Sequence, residues 1–128
     1  MLIGGTAGID DDDERAARAA SDDALAARLE HEGLDAFLSE WLALPMFAGL
    51  PEWARFDDER RSNTVDGLAS SLRRAGTGSM RPRWSDLERL TCSVLCVTGG
   101  LDAKFDVFAR RIVGSVRGPS AHVVIDGA

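Results

Sequence analysis

The 128-residue sequence has no excess of basic residues, since 15 lysines and arginines face 21 acidic residues and the formal net charge is −6. Nucleic acid and anionic membranes are bound through basic surfaces, so this balance argues against both as main partners. No apolar run approaches the length of a transmembrane helix, and the N-terminus lacks the basic region of a signal peptide. We therefore expect a cytoplasmic protein, and at this length one domain is the default.

Cysteine is also scarce, because Cys92 and Cys96 are the only two. No histidine lies close to them in the sequence, so a metal site is a poor explanation of their spacing. On a strand, both side chains point to one face. We predict two buried free thiols, which are typical of a reducing compartment.

The apolar pattern divides the chain into three segments. Residues 1–9 are predicted to be the end of a core strand followed by a loop. Residues 10–90 are predicted to be helical, because their apolar residues recur at helical spacing between proline and glycine breaks. Residues 91–128 change to strand, helix and strand, a βαβ unit with a right-handed crossover. The fold class predicted for the chain is α/β.

Within the helical segment, capping signals suggest several helix boundaries. The acidic run 10–14 favours a helix start, and Ser21 is a plausible cap for a second helix that Gly33 would end. Asn63, with Asp66 three residues later, resembles a capping box for the next helix. The predicted buried stripes are Leu34, Phe37, Leu38, Trp41 and Leu42 in one helix, and Val65, Leu68, Ala69 and Leu72 in the other.

One carboxylate stands at a position that favours catalysis. Residues 93–98 form an apolar run typical of a strand buried in a parallel sheet, and Gly99 and Gly100 lead from it to Asp102. Catalytic side chains of open α/β sheets lie just beyond the carboxyl ends of strands. Asp102 there would be the acid of a nucleophile–base–acid triad, and the same residue would also cap the following helix.

The other two members of a triad are missing. No serine has glycine two residues away on both sides, so the nucleophile elbow Gly-x-Ser-x-Gly is absent. His122 falls on a second predicted buried strand, 121–125, instead of in the loop after it. His31 lies near a helix C-terminus, where it complements the helix dipole, and we assign it no catalytic role.

Four strings together resemble one family, the 2-succinyl-6-hydroxy-2,4-cyclohexadiene-1-carboxylate synthases of menaquinone (vitamin K2) biosynthesis. The first string is Gly8-Ile9 followed by residues 14–18, and the second runs from Phe37 through Trp41 to residues 45–48. The third is Arg61-Ser62-Asn63, and the fourth is residues 99–105, which contain the pattern Asp-x-Lys-Phe. The resemblance implies an α/β-hydrolase fold with a Ser-Asp-His triad and a helical cap, here residues 10–90. The implied activity is that of a carbon–oxygen lyase that eliminates pyruvate from a succinyl-cyclohexene-carboxylate intermediate. It implies a small-molecule substrate and neither a metal nor an organic cofactor.

The resemblance assigns roles to five residues. Asp102 matches the triad acid, and Arg18 and Arg61 match cap arginines that bind the carboxylates of the substrate. Trp41 matches a tryptophan that lines the pocket, and Phe47 is a weaker candidate for the same wall. In family members a tyrosine follows this tryptophan, where the present chain has Leu42, so the resemblance does not extend to that polar position.

The resemblance also implies that the chain is truncated at both ends. Its missing partner would be the N-terminal half of the fold, which carries the serine, and the histidine would follow Ala128. We therefore expect no turnover from this chain alone. We further expect the strand at 94–97 to present an unpaired edge, which would make the isolated chain marginally stable or self-associating.

Two other functions stay open. One is an esterase of the same superfamily that acts on a small acidic substrate, since Leu42 leaves room for it. The other is a non-catalytic helical module or remnant. In that case the two arginines are surface residues, and each forms an ion pair with the acidic residue four positions earlier in the helix, Arg18 with Glu14 and Arg61 with Asp57.

Overall fold

A computed structural model describes residues 1–128, apart from the side chain of Met46. Two compact units are present: residues 1–10 with 81–128, called the sheet unit, and residues 11–80, called the helical unit. Residues 81–90, which we expected in the cap, cluster with the sheet unit. The helices and strands in chain order are β1 (Leu2–Ile3), α1 (Asp12–Glu32), α2 (Leu34–Leu42), α3 (Asp57–Arg61), α4 (Val65–Ala75), β2 (Val94–Gly99), α5 (Ala103–Ser115) and β3 (Ser120–Ile125). Short 3₁₀ helices lie at Pro45–Phe47, Glu52–Ala54 and Trp84–Arg89.

Helix α1 is continuous, so the prediction of a second helix capped by Ser21 is wrong. Asp11 is the N-cap, and its side chain accepts a hydrogen bond from the Glu14 amide at 2.8 Å. Gly33, with φ of 83°, ends the helix as predicted. A serine costs little inside a helix whose neighbouring turns bury an apolar face, so packing overrides the local capping signal.

Helix α4 begins one residue later than the predicted capping box. Thr64 is its N-cap and accepts a hydrogen bond from the Gly67 amide at 3.1 Å. Asn63 instead donates through Nδ2 to the carbonyl of Arg60 at 2.9 Å, at the end of α3. Its amide therefore satisfies the carbonyls of the preceding helix, a role that the sequence pattern does not distinguish from capping.

The core of the helical unit lies between α1, α2 and α4. Its buried members are Ala26, Leu29, Phe37, Leu38 and Ala69. The predicted stripes of α2 and α4 pack here, as expected from their spacing, with the exception of Leu42. Leu29 is completely buried, at 0% exposure.

Replacing Leu29 with alanine is expected to lower the free energy of unfolding of the helical unit by about 3 kcal/mol, because it removes buried carbon and leaves a cavity. Urea denaturation followed by circular dichroism measures this loss. Leu44→Ala is the matched control, since Leu44 is 42% exposed. A loss of the same size in both variants would contradict the assignment of this core.

The sheet of the other unit has the order β1-β2-β3, and both pairings are parallel. Helix α5 connects β2 to β3, which gives the predicted βαβ unit. The core beneath α5 contains Ala7, Trp84, Leu87, Cys96, Ala109 and Ile112. The indole Nε1 of Trp84 donates to the Gly8 carbonyl at 2.9 Å, so the chain before α1 is fastened to this core.

Three predictions about this sheet are wrong. Strand β2 is paired on both sides, so it is not an open edge. Strand β3 is largely exposed instead of buried, and Cys92 is an exposed thiol outside β2. The error about β3 arises because an apolar run predicts a parallel strand without saying which of its faces are covered. The other two arise because β1 pairs with β2 and because β2 begins at Val94, after Cys92.

One face of the sheet is therefore apolar and uncovered. Because side chains alternate along strands, Ile3, Val97, Val123 and Ile125 share the face opposite α5. Ile3, Val123 and Ile125 are 71%, 44% and 48% exposed. We call these four residues the open face. Within the described residues, no helix has both the length and the apolar character needed to cross a membrane.

Candidate functional site

Asp102 lies immediately beyond the carboxyl end of β2, at the first position before α5. Its carboxylate is the N-cap of α5 and accepts a hydrogen bond from the Phe105 amide at 3.1 Å. The residue is exposed. The position at the strand end and the capping role, both expected from the sequence, therefore coexist in one side chain.

The loop that carries Asp102 is held against the end of β3. Gly100 donates its amide to the Ile125 carbonyl and Leu101 donates to the Ala128 carbonyl, both at 2.8 Å. A Cβ on Gly99 would lie 2.4 Å from the Ala128 oxygen, so the close approach requires glycine. The segment after β3 thus passes directly beside the Asp102 loop.

His122 lies on β3, as the sequence predicts, and bonds to Thr98 instead of Asp102. The distance between His122 Nε2 and Thr98 Oγ1 is 2.7 Å, and Asp106 Oδ1 lies 3.9 Å from the same nitrogen. Hydrogen bonding from Arg110 lowers the pKa of Asp106. Because the folded pKa lies below the unfolded one, this pairing stabilises the fold at neutral pH and its contribution is lost as acid protonates Asp106.

Arg18 and Arg61 both lie in the helical unit and both use Nε to hold a carboxylate. Arg18 Nε donates to the two oxygens of Asp22 at 2.9 Å each, and Asp22 is buried. Arg61 Nε donates to Asp35 at 3.1 Å. The partners are therefore Asp22 and Asp35, whereas the surface interpretation had predicted Glu14 and Asp57.

Trp41 and Phe47 pack together, with ring centroids 4.5 Å apart, and Arg60 lies over the Trp41 ring at 5.1 Å. Trp41 lines a cavity of about 190 Å³ between the helices. The other residues lining it are Leu25, Phe37, Leu38, Arg60, Asn63, Leu68, Ser71 and Leu72. Arg60 and Asn63 are polar groups of this wall that sequence reasoning missed. The only signal for Arg60 is its place beside Arg61.

Arg61 lines a different, smaller cavity of about 60 Å³ together with Leu42. Arg18 lines neither of these two cavities. Asp102 belongs to the sheet unit, whereas the four other proposed site residues belong to the helical unit. Among the side chains that the structure describes, no group of three or more histidine, cysteine or acidic residues is arranged to hold a metal ion.

Three named proteins are similar to the chain in sequence, although no protein-family model matches it. The 2-succinyl-6-hydroxy-2,4-cyclohexadiene-1-carboxylate synthase of Serratia proteamaculans (strain 568) is 30% identical over 112 residues, which are 86% of this chain and 44% of that protein. The Photorhabdus laumondii enzyme of the same name is 30% identical over 113 residues, 87% of this chain and 41% of its own. A Bacillus subtilis (strain 168) protein that bears the name provisionally is 36% identical over 97 residues, 72% of this chain and 35% of its own.

The fold comparison agrees with the sequence comparison. The solved structure of MenH from S. aureus superposes with a TM-score of 0.89 at 28% identity, covering 99% of this chain and 50% of that one. The chain thus spans about a third to a half of the length of these relatives. The parallel sheet and the helical unit are those of an α/β-hydrolase fold. The chain belongs to the 2-succinyl-6-hydroxy-2,4-cyclohexadiene-1-carboxylate synthase family, as a partial-length member.

Proposed function

We propose that this chain is the cap and triad-acid portion of a carbon–oxygen lyase that eliminates pyruvate from a succinyl-cyclohexene-carboxylate intermediate in menaquinone biosynthesis. The observation that carries the proposal is the position of Asp102 beyond β2, in a loop hydrogen-bonded to the segment after β3. A histidine in that neighbourhood would be oriented by the carboxylate and stabilised once it takes a proton. In a longer protein, the residue after Ala128 emerges beside this loop.

The two cap arginines support a substrate with several carboxylates. Arg18 and Arg61 engage Asp22 and Asp35 through Nε, and no other partner of either guanidinium is found among the described residues. Their terminal nitrogens therefore remain able to form the two parallel hydrogen bonds with which arginine binds a carboxylate. We infer that both arginines serve the substrate while Asp22 and Asp35 orient them.

Trp41 and Phe47 are proposed as an apolar wall that contacts the substrate. Their contact fixes both rings, and a rigid aromatic surface suits the ring of the intermediate. We also propose that the protein works in the cytoplasm, since the exposed thiol of Cys92 is typical of a reducing compartment.

A chimera tests the proposed function. We expect this chain, placed in the Bacillus subtilis relative in exchange for the matching segment, to release pyruvate from the succinyl-cyclohexene precursor, measured by a coupled lactate dehydrogenase assay. The chain alone is expected to give no turnover, because a serine and a histidine are needed with Asp102. Arg18→Gln and Arg61→Gln should each raise KM in the chimera by about tenfold or more.

The same chimera distinguishes the lyase proposal from the esterase alternative. An esterase would hydrolyse p-nitrophenyl succinate at least as well as it releases pyruvate, and the two arginine substitutions would leave that hydrolysis almost unchanged. Arg74→Gln is the matched control, because Arg74 lies at the exposed end of α4. A folded chimera that hydrolyses the ester and releases no pyruvate would overturn the lyase proposal.

A further inference from the structure

We propose that His122 is a positioning residue for Asp102, which it holds in place through Thr98 and through the first turns of α5. The inference rests on the proposed function only in giving Asp102 a catalytic role. The polar cluster that carries it consists of Thr98, His122, Asp106 and Arg110, and we call it the sheet–helix cluster.

The cluster begins as a link between two strands. Thr98 and His122 lie on the face of the sheet that α5 covers, since His122 is paired with Cys96, two residues before Thr98. Thr98 is 4% exposed and the side chain of His122 is 10% exposed. Polar groups in such a layer need partners, and the 2.7 Å contact between Oγ1 and Nε2 pairs one polar atom of each side chain with the other.

Helix α5 supplies the second half of the cluster. Arg110 donates to both oxygens of Asp106, at 2.8 and 3.2 Å, which fixes the carboxylate 3.9 Å from His122 Nε2. The negative charge lies on the Nε2 side of the ring, so the neutral imidazole is expected to carry its proton there, where it faces Thr98 and Asp106 together. The ring thus bonds β3 to β2 through Thr98 and lies beside the Asp106 carboxylate of α5.

Asp106, the α5 residue beside the His122 ring, is one helical turn from Asp102. The amide of Asp106 donates to the Asp102 carbonyl at 3.0 Å, and the chain runs from Thr98 through only three residues to Asp102. The cluster therefore fixes both ends of the segment that presents the carboxylate. Without it, the start of α5 would be held to the sheet only by apolar contacts and by the backbone hydrogen bonds of Gly100 and Leu101.

Hydrogen exchange of the Phe105 amide measures the proposed effect, because that amide donates to the Asp102 carboxylate. His122→Leu in this chain is expected to accelerate exchange at Phe105 by about tenfold or more through local opening. His122→Gln keeps an N–H at the matching position and should restore most of the protection. Thr98→Val should resemble His122→Leu, whereas Thr98→Ser should resemble the original protein.

Ser120→Ala is the matched control. Ser120 lies on the same strand and bonds to α5 at the other end, through the Val113 carbonyl at 3.1 Å. Its loss should leave Phe105 exchange unchanged. Nitrogen-15 NMR of the folded chain gives a readout that needs no substitution, with the proton expected on His122 Nε2.

Equal acceleration in Ser120→Ala, no acceleration in His122→Leu and Thr98→Val, or a neutral ring protonated on Nδ1 would each overturn the proposal. None of these measurements depends on turnover. The lyase proposal can therefore fail in the chimera while the positioning role of His122 stands, and the reverse also holds.

Discussion

Replacement of Asp102 with asparagine in the chimera is expected to lower kcat by about 10³- to 10⁴-fold while leaving the stability of α5 almost unchanged. Asparagine is isosteric and is as good an N-cap as aspartate, so the hydrogen bond from the Phe105 amide is retained. What it loses is the negative charge that stabilises a protonated histidine and selects its tautomer. Steady-state kinetics of pyruvate release measure the change.

Asp102→Ala separates the two roles of the side chain. It should lose activity to the same extent and should also destabilise α5 by about 1 kcal/mol, because the cap is lost as well. Thermal unfolding compares the two variants. If Asp102→Asn retains more than about a tenth of the activity, Asp102 is a helix cap without a catalytic role.

Self-association of the chain is the second large effect that we expect. Ile3, Val97, Val123 and Ile125 form an apolar face on a parallel sheet, and such sheets are normally covered on both faces. Burial of this face against another copy removes it from water. Sedimentation velocity at micromolar concentrations should therefore detect species larger than the 13.7 kDa monomer.

Charges on the open face should weaken this association strongly. The double variant Val123→Lys with Ile125→Lys is expected to weaken self-association by about 100-fold or more, since each buried side chain contributes about 1.5–3 kcal/mol. Val107→Lys is the matched control, because Val107 is 61% exposed on α5 and lies outside the face. A monodisperse monomer at all concentrations before any substitution would contradict the prediction.

The sequence predicted the order of the helices and strands better than it predicted their boundaries and which of their faces are buried. The stripes of α2 and α4 and the βαβ unit follow from periodicity, which is a local property, and they are confirmed apart from Leu42. Ser21 and Asn63 were wrongly predicted to be helix N-caps, because residues of these types also occur inside helices and at the end of a preceding helix. Whether a strand face is covered depends on segments distant in sequence, so the burial of β3 and of Cys92 was predicted wrongly.

In the candidate site too, the sequence predicted what depends on local patterns and did not predict contacts between distant residues. The strand-end position of Asp102 follows from the apolar run and the glycines, and the structure has it there. The ion pair of Arg61 with Asp35 joins residues 26 positions apart, and the contact of Arg60 with Trp41 depends on how α3 meets α2. No local pattern encodes such contacts. The roles of Arg18, Arg61, Trp41 and Phe47 in binding remain predictions.

The exposed thiol of Cys92 offers a single point for chemical attachment. Burial raises the pKa of Cys96, so at neutral pH a maleimide should react with Cys92 alone. Cys92 precedes β2 and Asp102 follows it, which separates a dye or a surface linker from the carboxylate by roughly 20 Å of strand. Molecules immobilised through this sulfur would all present the Asp102 end of the sheet to the solution.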